Sequence, residues 1–113
     1  MKVAIFGAKS IALGVYYALQ MLYNEYHVDK FLVSSLSDNP HELAGIPVME
    51  SRFYTDKDAC ILIATPENVH KEIKAILQNQ GFHNLVCIDS CKEADLMEKY
   101  YTKLGLFPSV HLL

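Results

Sequence analysis

The sequence has no block of basic residues, no apolar run close to the length of a bilayer span and no internal repeat. Each absence removes a class of function. A basic block or stripe is the electrostatic footprint of nucleic-acid or anionic-membrane binding. With a net charge of −3 and no such block, no nucleic-acid partner is expected. A membrane helix takes about 20 apolar residues, so no span is expected either. The chain starts with a strand-like run and a turn, not a charged leader followed by an apolar stretch, so a signal peptide is not expected and a cytoplasmic location is.

Cysteine is sparse: Cys60, Cys87 and Cys91. An odd count, with two inside strand-like runs, fits the reduced thiols of a cytoplasmic protein. Cys87 and Cys91 are spaced C-x3-C, but no second pair or clustered histidines complete a zinc set, so no metal site is expected. His27, His41, His83 and His111 are scattered and read as surface or loop residues. No Ser/His/Asp set, no carboxylate pair with separate roles and no lysine base stands out, so no catalytic residue is assigned.

What is present is a pattern of alternating strands and helices. Hydrophobic residues make up 51% of the 113, enough for a globular core. "KVAIF" reads as a strand covered on both faces. Ser10 caps the helix that follows, whose inner stripe is Ile11, Val15, Leu19 and Leu22. "DKFLVSS" is a second strand, "LSDNPHELAG" a turn-rich excursion, and "IPVME" a third strand whose Ile46-Pro47 suits an edge. "SRFYTDKD" connects to the most apolar strand, "ACILIAT". Thr65 caps the next helix with Pro66 at its first position, and Val69, Ile73, Ile76 and Leu77 face inward. Gly81 ends it. "NLVCID" is the last strand, and "CKEADLMEKYYTKL" a final helix stopped by Gly105. The expected fold is therefore α/β: one Rossmann-like three-layer domain over 1–113, whole or part of a longer protein. Its mostly parallel sheet of about five strands runs in the order 3-2-1-4-5.

In such sheets ligands bind beyond the carboxyl ends of the strands, where the order reverses. Here that point is built by "GAKS" and "ATPENVH". The dinucleotide fingerprint wants G-x-G-x-x-G, and the chain has Gly7-Ala8-Lys9-Ser10-Ile11-Ala12. Gly7 serves either a phosphate approach or a plain strand-to-helix turn. Ala12 is small enough for the third place. Lys9 departs from the second, and either contacts phosphate or is solvated. Ser34 and Ser35 stand where an acid would hold the ribose hydroxyls. Glu67 suits the dipole of its own helix. His70, one turn in, reads as a partly exposed structural residue or a catalyst. The expected ligand-contacting set is Gly7, Ala8, Lys9, Ser10, Ile11, Ser34, Ser35, Thr65, Pro66 and His70.

Tyr16, Tyr17, Tyr23, Tyr26, Tyr100 and Tyr101 crowd the first and last helices. They serve either a contact with another chain or domain, or the margin of the core. The tail "GLFPSVHLL" is too apolar for a free end; it packs back on the sheet, joins a dimer or marks where a longer protein was cut.

Two resemblances follow from these segments. "KVAIFGAKSIALGVYYAL", "FLVSSLSDNPHELAGIPVM" and "CILIATPENVHKEIKAILQNQGFHNLVCID" together resemble the Rossmann-like domains attached to enzymes of bacterial surface-polysaccharide synthesis, beside glycosyltransferases and in sugar acyltransferases. That resemblance implies a nucleotide-sugar ligand and an attached catalytic domain. Locally, "IFGAKSIA" and "DACILIATPENVHKEI" resemble the NAD(P)-binding half of dehydrogenases of the glucose–fructose oxidoreductase type. In that family the segment matching Thr65, Pro66 and His70 lines the nicotinamide side. The family's Glu-Lys-Pro segment is missing: the matching strand reads "VCIDSCK". Three functions are thus expected in turn: a nucleotide or nucleotide-sugar binding module without chemistry of its own, the NAD(P)-binding domain of an oxidoreductase acting on sugars, or a structural dimerisation domain.

Overall fold

The structure, a computed structural model, describes residues 1–106. Its elements are β1 (Lys2–Phe6), α1 (Ser10–Leu22), β2 (His27–Val33), β3 (Glu42–Leu43), β4 (Ile46–Glu50), β5 (Cys60–Ile63), α2 (His70–Asn79), β6 (Leu85–Cys87) and α3 (Ser90–Lys103). Short 3-10 turns cover Ser51–Phe53 and Glu67–Val69. No helix among the described residues is long and apolar enough to cross a membrane.

The sheet order is β3-β4-β2-β1-β5-β6. Four pairings are parallel: β1 with β2 and with β5, β2 with β4, and β5 with β6. This corrects the five-stranded expectation by one strand. β3 lies inside the segment read as an excursion and pairs antiparallel with β4, Leu43 facing Ile46. The loop between them is Ala44-Gly45, with φ of 52° and 79°. Two positive φ values in a two-residue loop are the hairpin geometry that matches strand twist. Asn or Asp before Gly would have announced it; alanine hides it. The hairpin also covers the strand expected at the edge. Pro47 stands opposite Glu42 without an amide to donate, and the Val48 amide donates to the His41 carbonyl at 2.9 Å.

β1 is the central strand, and its side chains alternate between two cores. Val3 and Ile5 pack with Val15 and Leu19 of α1, while Ala4 and Phe6 pack with Ile73 and Leu77 of α2. α3 lies against α1, and its Leu96 reaches the first core. Tyr16, Tyr23 and Tyr26 border that same core, Tyr16 edge-on to Phe31 at 5.8 Å. Tyr17 and Tyr101 are exposed. Gly81 and Gly105 adopt positive φ just past α2 and α3, as helix-ending glycines do. The tail expectation falls mostly on residues 107–113, which lie outside the described residues.

The helix starts differ from expectation. Ser10 is the first residue of α1, not its cap; Lys9 holds the cap position, and no side chain there accepts an amide. Thr65 does not cap α2 and Pro66 is not its first residue. Pro66 instead precedes the 3-10 turn, and α2 starts at His70. The His70 ring nitrogen Nε2 lies 2.8 Å from the Thr65 carbonyl. That bond holds the helix start close to the strand end, so the residues between form only a tight turn. At α3 the cap is Asp89, whose carboxylate accepts the Lys92 amide at 2.8 Å. The run "NLVCID" places that aspartate with the strand before it, but the strand ends at Cys87.

The connector contributes more than a link. Tyr54 is buried, stacks on Phe82 at 6.2 Å, and donates through Oη to Asp29 Oδ2 at 2.9 Å. Burial, then the hydrogen bond to Asp29 and its charge, push the phenol pKa well up, so it stays a donor. Tyr54→Phe is expected to lower unfolding free energy by about 1 kcal/mol, the net worth of one hydrogen bond. Urea denaturation of the two proteins measures it; equal midpoints would show that the bond contributes nothing.

Candidate functional site

A cavity of ≈ 670 Å³ opens at the carboxyl ends of β1, β2 and β5, the place where the sheet order reverses. Each wall belongs to a different connection. Gly7, Ala8, Lys9, Ser10 and Ile11 come from the β1–α1 turn, Ser34 and Ser35 follow β2, and Thr65 and Pro66 follow β5. The structure therefore gathers every expected contact residue except His70. That histidine is buried, not partly exposed, and its ring is used to hold the turn. Because a carbonyl only accepts, Nε2 carries the proton.

Gly7 has a backbone reason to be glycine. Its φ is +130°, and a Cβ there would sit 2.5 Å from the Ala64 carbonyl oxygen. Its amide donates to the Leu32 carbonyl at 2.8 Å, so that amide is not offered to a ligand. The first turn of α1 is different. Its first backbone bond runs from the Leu13 amide to the Lys9 carbonyl at 3.0 Å. The amides of Ser10, Ile11 and Ala12 meet no acceptor among the described residues, as a helix start dictates. They carry the positive end of the helix dipole at the cavity.

Among the described residues that line the cavity, Lys9 alone is charged. Its ammonium lies 3.4 Å from the Asp38 carbonyl, across at the loop that follows β2. That loop is tied down locally. The Ser35 hydroxyl accepts the Ser37 amide at 3.1 Å, and the Asn39 amide group donates to the Ser35 carbonyl at 2.9 Å. Glu50, at the end of β4, accepts the Leu36 amide through Oε2 at 3.2 Å and Arg52 through Oε1 at 2.8 Å. The Leu36 amide first, and Arg52 second, hold the Glu50 carboxyl below the usual carboxylate range.

Some contributors were not anticipated. Ser37, Asn39 and Asn68 also line the cavity. Asp38, Asn39 and Pro40 signalled a turn, but turn chemistry does not say where the loop folds. Glu67 was assigned to the dipole of its own helix; instead its Oε1 accepts the Ser90 amide at 3.0 Å and so serves the start of α3. The three thiols are free, and no group of three or more metal-binding side chains gathers among the described residues. The Cys60 pKa is pushed up by burial. Cys91 is exposed, while Cys60 and Cys87 are half-buried.

No protein-family model matches this chain, and no curated protein does. Among solved structures it is similar to the crystal structure of RSP, a Rex-family repressor, with a TM-score of 0.60 and 11% identity over 96% of this chain. The chain spans 62% of the length of that structure. At this identity the likeness concerns the fold, which is consistent with a Rossmann-like α/β domain.

Two outcomes follow from this geometry. Gly7→Ala is expected to cost roughly 1–3 kcal/mol in backbone strain, with the Ala64 clash in addition. Thermal unfolding measures it, and an unchanged midpoint would refute the close approach. For Glu50 the folded pKa lies below the unfolded one. Its contribution is complete above the unfolded value and disappears as pH falls through the folded value. Glu50→Gln is therefore expected to melt below the wild type at neutral pH, with the gap closing in acid. A gap that is constant with pH would mean that the carboxylate charge is not what holds the loop.

Proposed function

We propose that this chain is a nucleotide-binding module without chemistry of its own, its ligand lying in the cavity at the ends of β1, β2 and β5. The observation that carries this reading is one helix start whose first three amides are unclaimed among the described residues, opening on a cavity whose one charged lining residue among them is a cation. Unclaimed amides, the helix dipole and a lysine together favour a phosphate. The remaining lining is neutral, with hydroxyls and amides to orient a sugar and aliphatic residues such as Val33 and Ile11 to meet a base. No group in the cavity has the partners of a nucleophile or a general base. The resemblance carried by "VSSLSDNPHELAGIPVM" supports a nucleotide sugar as ligand and a glycosyltransferase or other polysaccharide-synthesis protein as the setting.

A second reading is an NAD(P)-binding domain of an oxidoreductase. It is favoured by Thr65 and Pro66, which line the cavity as the dehydrogenase resemblance implies. It is weakened by His70, whose ring is occupied by the Thr65 carbonyl and stands outside the lining. A ligand that binds the folded state raises the melting temperature by mass action. Thermal shift with UDP-sugars, NAD(H), NADP(H) and coenzyme A is expected to give a positive response for at least one. No response from the whole panel would overturn the binding reading.

A further inference from the structure

We infer that two copies of this chain pair through the outer face of α1, antiparallel about a two-fold axis at Tyr17. The inference is independent of what the cavity binds. The first observation is a contrast between helices. The exposed face of α2 carries Lys71, Glu72 and Lys74, and that of α3 carries Asp95, Glu98 and Lys99. None of the 13 residues of α1 is charged. A helix without charge on any side is one that is covered on every side.

A single chain covers α1 only in part. The sheet takes its inner stripe and buries Ala12, Val15, Ala18 and Leu19. α3 takes one flank, where a Cβ at Gly14 would lie 3.6 Å from the Met97 sulfur. Tyr16 closes the other flank, edge-on to Phe31. Leu13, Tyr17 and Met21 remain, spaced i, i+4, i+8 and so aligned on one face. Leu13 is half-buried, while Tyr17 is 45% and Met21 42% exposed.

The second observation is that this stripe matches itself. A two-fold interface uses the same patch on both copies. Reversing the helix about Tyr17 sets Leu13 against the partner's Met21, because each lies four residues from Tyr17. Tyr17 then meets its own copy, a contact between two broad, rigid rings. The same register sets Lys9, just before the helix, opposite the partner's Glu25, just after it; both are exposed. The flanking charges are thus of opposite sign across the axis, and the antiparallel helix dipoles agree with them.

Charge also favours a copy over other occupants. Each chain has a net charge of −3, so two copies repel unless the faces that meet are neutral. Among the described residues, α1 has the one helix face on which copy can meet copy without a charged residue in the centre. Leu13, Tyr17 and Met21 do not line the cavity, so substitutions there probe the contact alone.

Sedimentation equilibrium of the whole chain tests this over about 1 μM to 1 mM, the range of moderate to weak association. The wild-type mass is expected to rise with concentration from 12.8 kDa toward twice that value. Tyr17→Lys and Tyr17→Glu each bring like charges together at the axis, and each is expected to weaken pairing at least about tenfold. Mixed in equal amounts, the two variants are expected to pair again, because opposite charges then meet. Tyr17 is exposed, so both variants are expected to keep the wild-type melting temperature; should they fail to fold, Met21→Glu is expected to weaken pairing in the same way. A wild type that stays at 12.8 kDa throughout, pairing that the substitutions leave intact, or a mixture no tighter than either variant alone would each overturn the inference. So would pairing that survives the substitutions but is lost on removal of residues 107–113, which would assign the contact to that segment.

Discussion

The backbone contact between Gly7 and Ala64 is the constraint on which the upper end of the molecule depends. Three strands finish there. The Gly7 amide is held by the Leu32 carbonyl at the end of β2, and the Ala64 amide by the Phe6 carbonyl at the end of β1. The Ala64 carbonyl then lies where a Gly7 side chain would be. Because nothing projects from Gly7, the chain leaves β1 at once and enters α1 over the sheet. The helix start is thereby delivered to the rim where β2 and β5 also end. A larger residue would push these ends apart and move every wall of the cavity.

Below that rim, burial does the work. β1 is covered on both faces, with its side chains divided between α1 and α2. Around the rim, short polar bonds take over. Glu50 fixes the loop after β2, His70 fixes the turn after β5, and Glu67 ties that turn to the start of α3. Each uses a side chain that sequence motifs would offer to a ligand or to its own helix. Their present partners are backbone groups that would otherwise lack a hydrogen bond, and such groups are costly to leave unpaired.

Lys9 illustrates the difference between a motif and a site. Set against the glycine fingerprint it is a defect, since a side chain crowds the approach of a pyrophosphate. Placed in the fold it is a cation carried across the mouth of the cavity to the β2 loop. Ser34 and Ser35, standing where an acid would hold a ribose, line the same cavity, and the Ser35 hydroxyl accepts the Ser37 amide.

The elements with strong periodicity were legible from the sequence. The runs "KVAIF" and "ACILIAT" declared buried strands because only strands covered on both faces tolerate unbroken apolar runs. Gly81 and Gly105 announced helix ends because positive φ is nearly free for glycine alone. The place of the cavity also followed, since alternating strands and helices put the order reversal beside the first strand. Other features were not legible. The β3–β4 hairpin turns on alanine in a left-handed conformation, and local preference argues against it. The bonds of Glu50 to Leu36, His70 to Thr65 and Glu67 to Ser90 join groups 5 to 23 residues apart in the chain, brought close by the fold. Local order was thus set by the sequence through side-chain pattern and backbone preference. Which polar group meets which was decided by the tertiary structure, because a hydrogen bond forms between neighbours in space and not in sequence.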